Sequence, residues 1–297
     1  MEKSNVENQT WNWLRRAFGL LRKAGPAPDT RKGLEYVKKE GVSLAMDIYL
    51  PPVIRGSRPL LLFVHGGGFS EGRRDDPRYV QFAGSMAGAG YPVASVSYRL
   101  TMKGRSFGCD QPAANKRATF RAAAEDIWDA TIYLLENGSS LGLDLSAGIV
   151  LCGSSAGAEA VMHAAYWPDA ALPAGFRYAG CIGMAAAIID LEWITRENAL
   201  PSLMFHGIDD PLVPFGSDSH HYCAPHLPGY LLLHGSKSIA RHLSALDKPY
   251  FLVEGREGGH GWADKPMFDH LDIIHRFLEE WVAKPGLAQQ ELTLSWA

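Results

Sequence analysis

Seven short apolar runs, each ending in polar or glycine residues, constrain most strongly what this chain of 297 residues can fold into. The first, VSLAMDIYL over residues 42–50, alternates like a half-buried strand. PLLLFVHG, YPVASVSY, AGIVLCG, YAGCIGM, SLMFHG and PYFLVEG are nearly continuous and read as strands buried on both faces. Helical patterns lie between them, clearest in ATFRAAAEDIWDATIYLLENG and MFDHLDIIHRFLEEWV. That alternation predicts an α/β fold, a mostly parallel central sheet with helices on both faces. The catalytic-size domain is expected over residues 35–285, after an N-terminal amphipathic helix and linker over 1–34 and before a C-terminal tail over 286–297. No internal repeat or low-complexity tract interrupts the pattern.

Charge narrows the partners. The formal net charge is -3 and no lysine- or arginine-rich run stands out, so nucleic acid is not an expected partner. The stretch WNWLRRAFGLLRKAG is broken by Arg15, Arg16, Arg22 and Lys23, so it reads neither as a signal peptide nor as a membrane span. A cytoplasmic location is the expectation that follows. Trp11, Leu14, Phe18 and Leu21 recur at helical spacing, which fits a helix packed on the domain, lidding a cleft, or lying on a membrane surface. Packing or lidding is favoured, because tryptophan and arginine also suit a docked helix with snorkelling side chains. Cys152 and Cys181 lie in apolar runs and read as buried free thiols. Cys109 and Cys223 sit in polar, proline-containing stretches and could pair, although spacing alone does not show proximity.

The pattern GxSxG occurs twice, at Gly138–Gly142 and Gly153–Gly157. A chain of this composition should show about 0.2 such matches by chance, so context must decide. Gly138 follows a long helical stretch, where a C-cap glycine belongs, and Ser140 is loop punctuation. Gly153 instead ends the strand GIVLC, and an alanine-rich helix starts after Ser155, which places Ser155 on a strand-to-helix turn. A serine hydroxyl becomes a good nucleophile only when an imidazole takes its proton and a carboxylate orients that imidazole. Two aspartates, Asp209 and Asp210, follow the strand SLMFHG, and His260 follows PYFLVEG in REGGHGW. Seen singly, each reads as a turn aspartate or a surface-loop histidine; in this order, each after a strand, they read together as catalytic.

His65-Gly66-Gly67-Gly68 follows another strand, and about 0.01 such tetrads are expected by chance with 11 histidines and 31 glycines. Consecutive glycines let backbone N–H groups approach an oxyanion unobstructed. A tight turn or phosphate cradle is the competing reading, weakened by the lack of a Walker-type lysine.

MDIYLPP, HGGGF, SVSYRL, GSSAG, HGIDDPLVP and GGHGW, spread over residues 45–262, together resemble α/β-hydrolase-fold serine esterases of the hormone-sensitive-lipase-like and feruloyl/acetyl-esterase (BD-FAE-like) type. The resemblance implies an α/β-hydrolase fold and a carboxylesterase acting through Ser155, His260 and Asp210, the aspartate four positions after the histidine of its HGxxDxxVP segment. It also implies an oxyanion hole from Gly67, Gly68 and Ala156, with His65 bracing the glycine loop. Phe69 and Trp262 are the substrate-wall candidates. No cofactor or metal is implied, the partner is a small-molecule ester, and a homodimer is compatible.

The chain departs from the hormone-sensitive-lipase pattern: Ser154 replaces the usual aspartate before the nucleophile, and only 55 residues separate Ser155 from Asp210, so no large cap is expected there. The long stretch after Asp210 would instead form the substrate wall. His220 and His221 within it lack a carboxylate at ligand spacing and read as loop residues. Arg99 and Asp126 read as a scaffold ion pair, Tyr166 and Trp167 as packing. Competing activities are an acetyl-xylan or feruloyl-type carbohydrate esterase, a peptidase of the prolyl-oligopeptidase kind, and a non-catalytic binding module. Few residues precede the strand at Val42, which disfavours the gated peptidase, and a complete triad disfavours the binding module.

Overall fold

A computed structural model describes residues 27–53, 56–284, 286 and 288–296. The amphipathic segment at residues 11–21 lies outside them. The main sheet has nine strands in the order β1-β2-β4-β3-β5-β6-β8-β11-β12. They are β1 (Asp29–Lys39), β2 (Val42–Leu50), β3 (Leu60–Val64), β4 (Val93–Val96), β5 (Ile149–Ser154), β6 (Gly180–Met184), β8 (Ser202–Gly207), β11 (Tyr250–Arg256) and β12 (Gln289–Ser295). β1 with β2 and β2 with β4 are antiparallel, and every other neighbouring pair is parallel. The sheet is mostly parallel, as the strand-and-helix alternation predicted, and its arrangement is the α/β-hydrolase fold that the resemblance implied.

The central strands β3, β5, β6 and β8 are fully buried along their length, which explains their unbroken apolar sequence. Helices α1 (Pro77–Gly88), α2 (Ala113–Asn137), α3 (Ala156–Tyr166), α4 (Ser236–Ala245), α5 (Pro266–Asp269) and α6 (Leu271–Phe277) connect them. Two cores result: α2 and α3 pack around Phe120, Trp128 and Met162, while α1 and α6 pack around Phe63, Phe82 and Phe277.

Two boundaries differ from the sequence expectation. β1 begins at Asp29, inside the expected linker, and its mixed exposed and half-buried residues mark an edge strand, which hides its pattern. Residues 289–295 are not a tail but the last strand, paired in parallel with β11. Leu292 and Leu294 on alternate positions pack against the second core, so the sheet continues past residue 285.

A second, three-stranded sheet pairs β7 (Ala187–Ile188), β10 (Leu232–Gly235) and β9 (Ser217–Ser219) in that order. The segment after Asp210 therefore folds into a compact wall rather than a cap domain. Arg99 pairs with the buried Asp126 at 2.9 Å, as read from the sequence. Tyr166 is buried, and its hydroxyl accepts a hydrogen bond from the Leu200 N–H at 3.1 Å.

Candidate active site

Three loops that follow β5, β8 and β11 converge at the carboxyl ends of the parallel strands. Ser155 sits between β5 and α3 with φ 50° and ψ -122°, a strained conformation for a residue with a side chain. The flanking glycines explain how that turn forms. A Cβ on Gly153 would lie 2.3 Å from the Gly157 carbonyl oxygen, and one on Gly157 would lie 2.1 Å from that of Val64. Only glycine permits both approaches.

Ser155 Oγ lies 2.8 Å from His260 Nε2, and His260 Nδ1 lies 2.7 Å from Asp210 Oδ2. The carboxylate accepts a hydrogen bond from Nδ1–H, which leaves the Nε2 lone pair facing the serine hydroxyl. Asp210 is buried, and its Oδ1 accepts from the N–H groups of Leu212 (2.9 Å) and Val213 (3.1 Å). Burial opposes ionisation of Asp210, but the imidazoles of His206 and His260 outweigh it and hold the carboxyl well below the usual range. Asp209 takes a different part: its Oδ1 accepts from the Gly259 N–H at 3.2 Å, beside the histidine.

The glycine loop closes the opposite wall. A Cβ on Gly66 would lie 3.3 Å from the Ser155 Cβ, so this loop runs tight against Ser155. Gly67 and Gly68 have φ of 117° and 58°, and the Gly67 carbonyl accepts from Ser70 and Glu71, fixing the turn. Within the described residues the N–H groups of Gly67, Gly68 and Ala156 donate to no protein acceptor. His65 is buried under the loop, its Nδ1 2.7 Å from the Gly66 carbonyl oxygen, while its own carbonyl accepts from Tyr98 Oη at 3.0 Å. Burial lowers its pKa and keeps it neutral.

Ser155, His260, Gly67, Gly68 and Ala156 all line one cavity of about 680 Å3. Phe69 and Trp262 do not. Phe69 is fully buried, its ring against Phe107 (5.1 Å) and Phe120 (5.5 Å), because positive φ at Gly68 and Phe69 turns the chain inward. Trp262 lies flat on Gly255 of β11, where a Cβ would come within 2.0 Å of its ring, and Trp262 Nε1 donates to the Glu257 carbonyl at 2.8 Å. Trp262 supports the histidine loop from below rather than walling the cavity. Trp296 supports it as well, its ring filling the space a Cβ on Gly258 or Gly261 would need.

Three features escaped the sequence reading, while the Cys109–Cys223 pairing it left open is formed. His206 is buried with Nε2 3.6 Å from Asp210 Oδ2 and 3.1 Å from the Val213 carbonyl oxygen. Ser154 Oγ donates to Asp264 at 3.1 Å, and Asp264 pairs with Arg78 at 2.8 Å, giving the cavity a charged rim. Glu159 and His220 are buried yet line the cavity, with Glu159 Oε1 3.6 Å from His220 Nε2. Glu159 was legible as the residue one helical turn beyond Ser155; His220 carried no such signal. Cys109 and Cys223 form a disulfide, joining the loop after Phe107 to the turn that carries His220 and His221. Cys152 and Cys181 are buried free thiols. Among the described residues no cluster of three or more His, Cys, Asp or Glu has metal-ligand geometry, and no helix is long and apolar enough to cross a membrane.

Residues 46–173 match the BD-FAE family model. The chain is 33% identical over 131 residues to carboxylesterase NlhH of Mycobacterium tuberculosis, covering 44% of this chain and 36% of that protein. It is 30% identical over 142 residues to ethyl acetate hydrolase of Pseudomonas putida, covering 46% and 39%. The chain thus spans well under half the length of the curated relatives it matches. The structure of the Thermogutta terrifontis esterase Est2 with butyrate bound superposes with a TM-score of 0.59 at 18% identity, over 88% of this chain and 97% of that one, a likeness of fold.

Proposed function

We propose that this α/β-hydrolase-fold chain, whose residues 46–173 match the BD-FAE family model, is a serine carboxylic-ester hydrolase. The observation that carries the proposal is the continuous relay Ser155 Oγ–His260–Asp210 with spacings of 2.8 and 2.7 Å, opening into a cavity beside undonated backbone N–H groups. Ser155 Oγ attacks the acyl carbon while His260 Nε2 takes its proton. The N–H groups of Gly67, Gly68 and Ala156 stabilise the tetrahedral oxyanion, the last from the first position of α3, where no helical acceptor exists. His260 then returns the proton to the departing alcohol. Water, deprotonated by the same imidazole, attacks the acyl-enzyme and releases the acid. Asp210 stays ionised throughout and orients His260. No step calls for a cofactor or metal.

Small and short-chain acyl esters are the proposed substrates, supported by the relation to an ethyl acetate hydrolase and by the fold shared with a butyrate-bound esterase. The charged rim of Arg78 and Asp264 gives some support to a second reading, a carbohydrate esterase of the acetyl-xylan or feruloyl type. The Cys109–Cys223 bond favours an oxidising compartment over the cytoplasmic location that the N-terminal composition suggested.

The test is Ser155→Ala assayed on p-nitrophenyl acetate. A loss of about 10³-fold or more with an unchanged fold supports the assignment. Undiminished hydrolysis refutes it.

A further inference from the structure

Behind the nucleophile, the cavity ends in polar groups that the relay does not use. Glu159 is four residues after Ser155, and its own N–H donates to the Ser155 carbonyl at 3.0 Å. Helical side chains lean toward the N-terminus, so the carboxyl of Glu159 is directed back toward the turn that presents Ser155. It is 2% exposed and His220 is 1% exposed, yet both line the cavity. Neither Glu159 Oε1 nor His220 Nδ1 has a hydrogen-bond partner, and the 3.6 Å between Glu159 Oε1 and His220 Nε2 is too long for a good hydrogen bond. Buried polar atoms left in this condition cost stability, so their retention at the end of a substrate cavity points to a ligand that completes them.

The surroundings define the ligand. Phe107 meets His220 edge-on at 4.9 Å, and Phe120 packs against Phe107 at 5.7 Å, so the pocket wall here is aromatic. Burial and the charge of Asp210 push the Glu159 carboxyl well above its usual range, against the opposing charge of Lys116. Lys116 is buried and held by the Gly229 carbonyl at 2.9 Å, so it does not come forward into the cavity. Burial first, then the neighbouring cations, lower both His220 and His221, the latter to about 4. Burial thus favours the uncharged carboxyl and the uncharged imidazoles in this subsite. Such a set both donates and accepts hydrogen bonds, while an ionic ligand group would lose its hydration shell for no full countercharge.

Resting on the ester-hydrolase reading, we infer that Glu159 and His220 form a specificity subsite for a neutral hydroxyl group borne by the ester within a few atoms of its carbonyl carbon. A helical turn separates Glu159 from Ser155, about 6 Å between Cα atoms, which sets that reach. The Cys109–Cys223 bond fixes the subsite, since Cys223 ends the turn bearing His220 and Cys109 follows Phe107 closely.

NMR titration of the full-length Ser155→Ala protein reads millimolar binding without turnover. The probes are ethyl butyrate, ethyl 3-hydroxybutyrate for a hydroxyl on the acyl side, and 2-hydroxyethyl butyrate for one on the alcohol side. One hydroxylated ester should bind about 3- to 10-fold tighter than ethyl butyrate, the size of one buried hydrogen bond. That advantage should fall to within twofold when Glu159→Leu or, independently, His220→Phe is added. Equal binding of all three esters overturns the subsite, as does an advantage that survives either substitution. Wild-type turnover of ethyl butyrate reports separately on the hydrolase reading: its absence would sink that reading while the binding ratios still decide the subsite.

Discussion

Gly157 and Val64 are in such close approach that a Cβ on the first would lie 2.1 Å from the carbonyl oxygen of the second. This contact seats helix α3 against strand β3 and sets the height at which Ser155 emerges. The obstacle is backbone, which cannot rotate aside as a side chain could. Gly157→Ala should therefore destabilise the protein by about 3 kcal/mol or more in urea unfolding. A change under about 1 kcal/mol would show that the turn is far more compliant than its geometry implies.

The elements that could be read from sequence are those whose pattern is set locally. The continuous apolar runs of β3, β5 and β8 reflect burial on two faces, and GSSAG reflects two steric contacts that exclude any side chain. Asp210 and His260 were legible because each closes a strand that can be recognised. The edges were not: β1 mixes and β12 alternates exposed with half-buried residues, so they resemble linker and tail until their partners β2 and β11 are known. Phe69 and Trp262 misled because an aromatic next to a glycine loop suggests a pocket wall, whereas its direction depends on distant packing against Phe120 and Gly255. The pairing of Glu159 with His220 is a contact between separate elements and leaves no local trace.

Strain at Ser155 gives a separate prediction. Ser155 has φ 50° and ψ -122°, a region open to glycine but costly, by roughly 1–3 kcal/mol, for other residues. Ser155→Ala and Ser155→Gly should both be inactive, but the glycine variant should be the more stable by about 1 kcal/mol in urea unfolding. Equal stability of the two would indicate that the turn stores no strain.

The two adjacent aspartates should separate cleanly. Asp210→Asn removes the acceptor that fixes the His260 tautomer, so kcat should fall by about 10³-fold or more. Asp209→Asn keeps a side-chain oxygen able to accept from the Gly259 N–H, and the loss should stay below about 10-fold. A greater loss in the second variant would reverse the proposed roles.

Cys109→Ser with Cys223→Ser opens the tie between the Phe107 loop and the turn bearing His220 and His221. Loss of this long-range link should cost about 2–4 kcal/mol of stability. It should also raise KM more than it lowers kcat, because the relay of Ser155, His260 and Asp210 is held elsewhere, by β5, β11 and β8. An unaltered KM with a reduced kcat would place the effect on the relay itself.

Acid should destabilise the protein through its buried imidazoles, above the ordinary carboxylate range. His163 is fully buried, its Nδ1 2.7 Å from the Glu159 carbonyl oxygen and its ring stacked on Phe120 at 4.4 Å. Burial lowers its pKa to about 4, although the hydrogen bond to Glu159 works the other way. In the unfolded chain the same imidazole titrates near 6.5, at about its unperturbed value. Between pH 6.5 and 4 the unfolded state therefore binds more protons than the folded one, so stability rises with pH across that window and falls on acidification. At pH 5 the penalty from His163 alone is about 2 kcal/mol relative to pH 8. His275, also lowered to about 4 by burial, adds to the same slope. Urea unfolding at pH 8 and pH 5 should show the decrease, and His163→Phe should flatten it whatever that substitution does to the absolute stability. If the slope were the same with and without His163, the imidazole would have to be charged, or solvated, inside the folded protein.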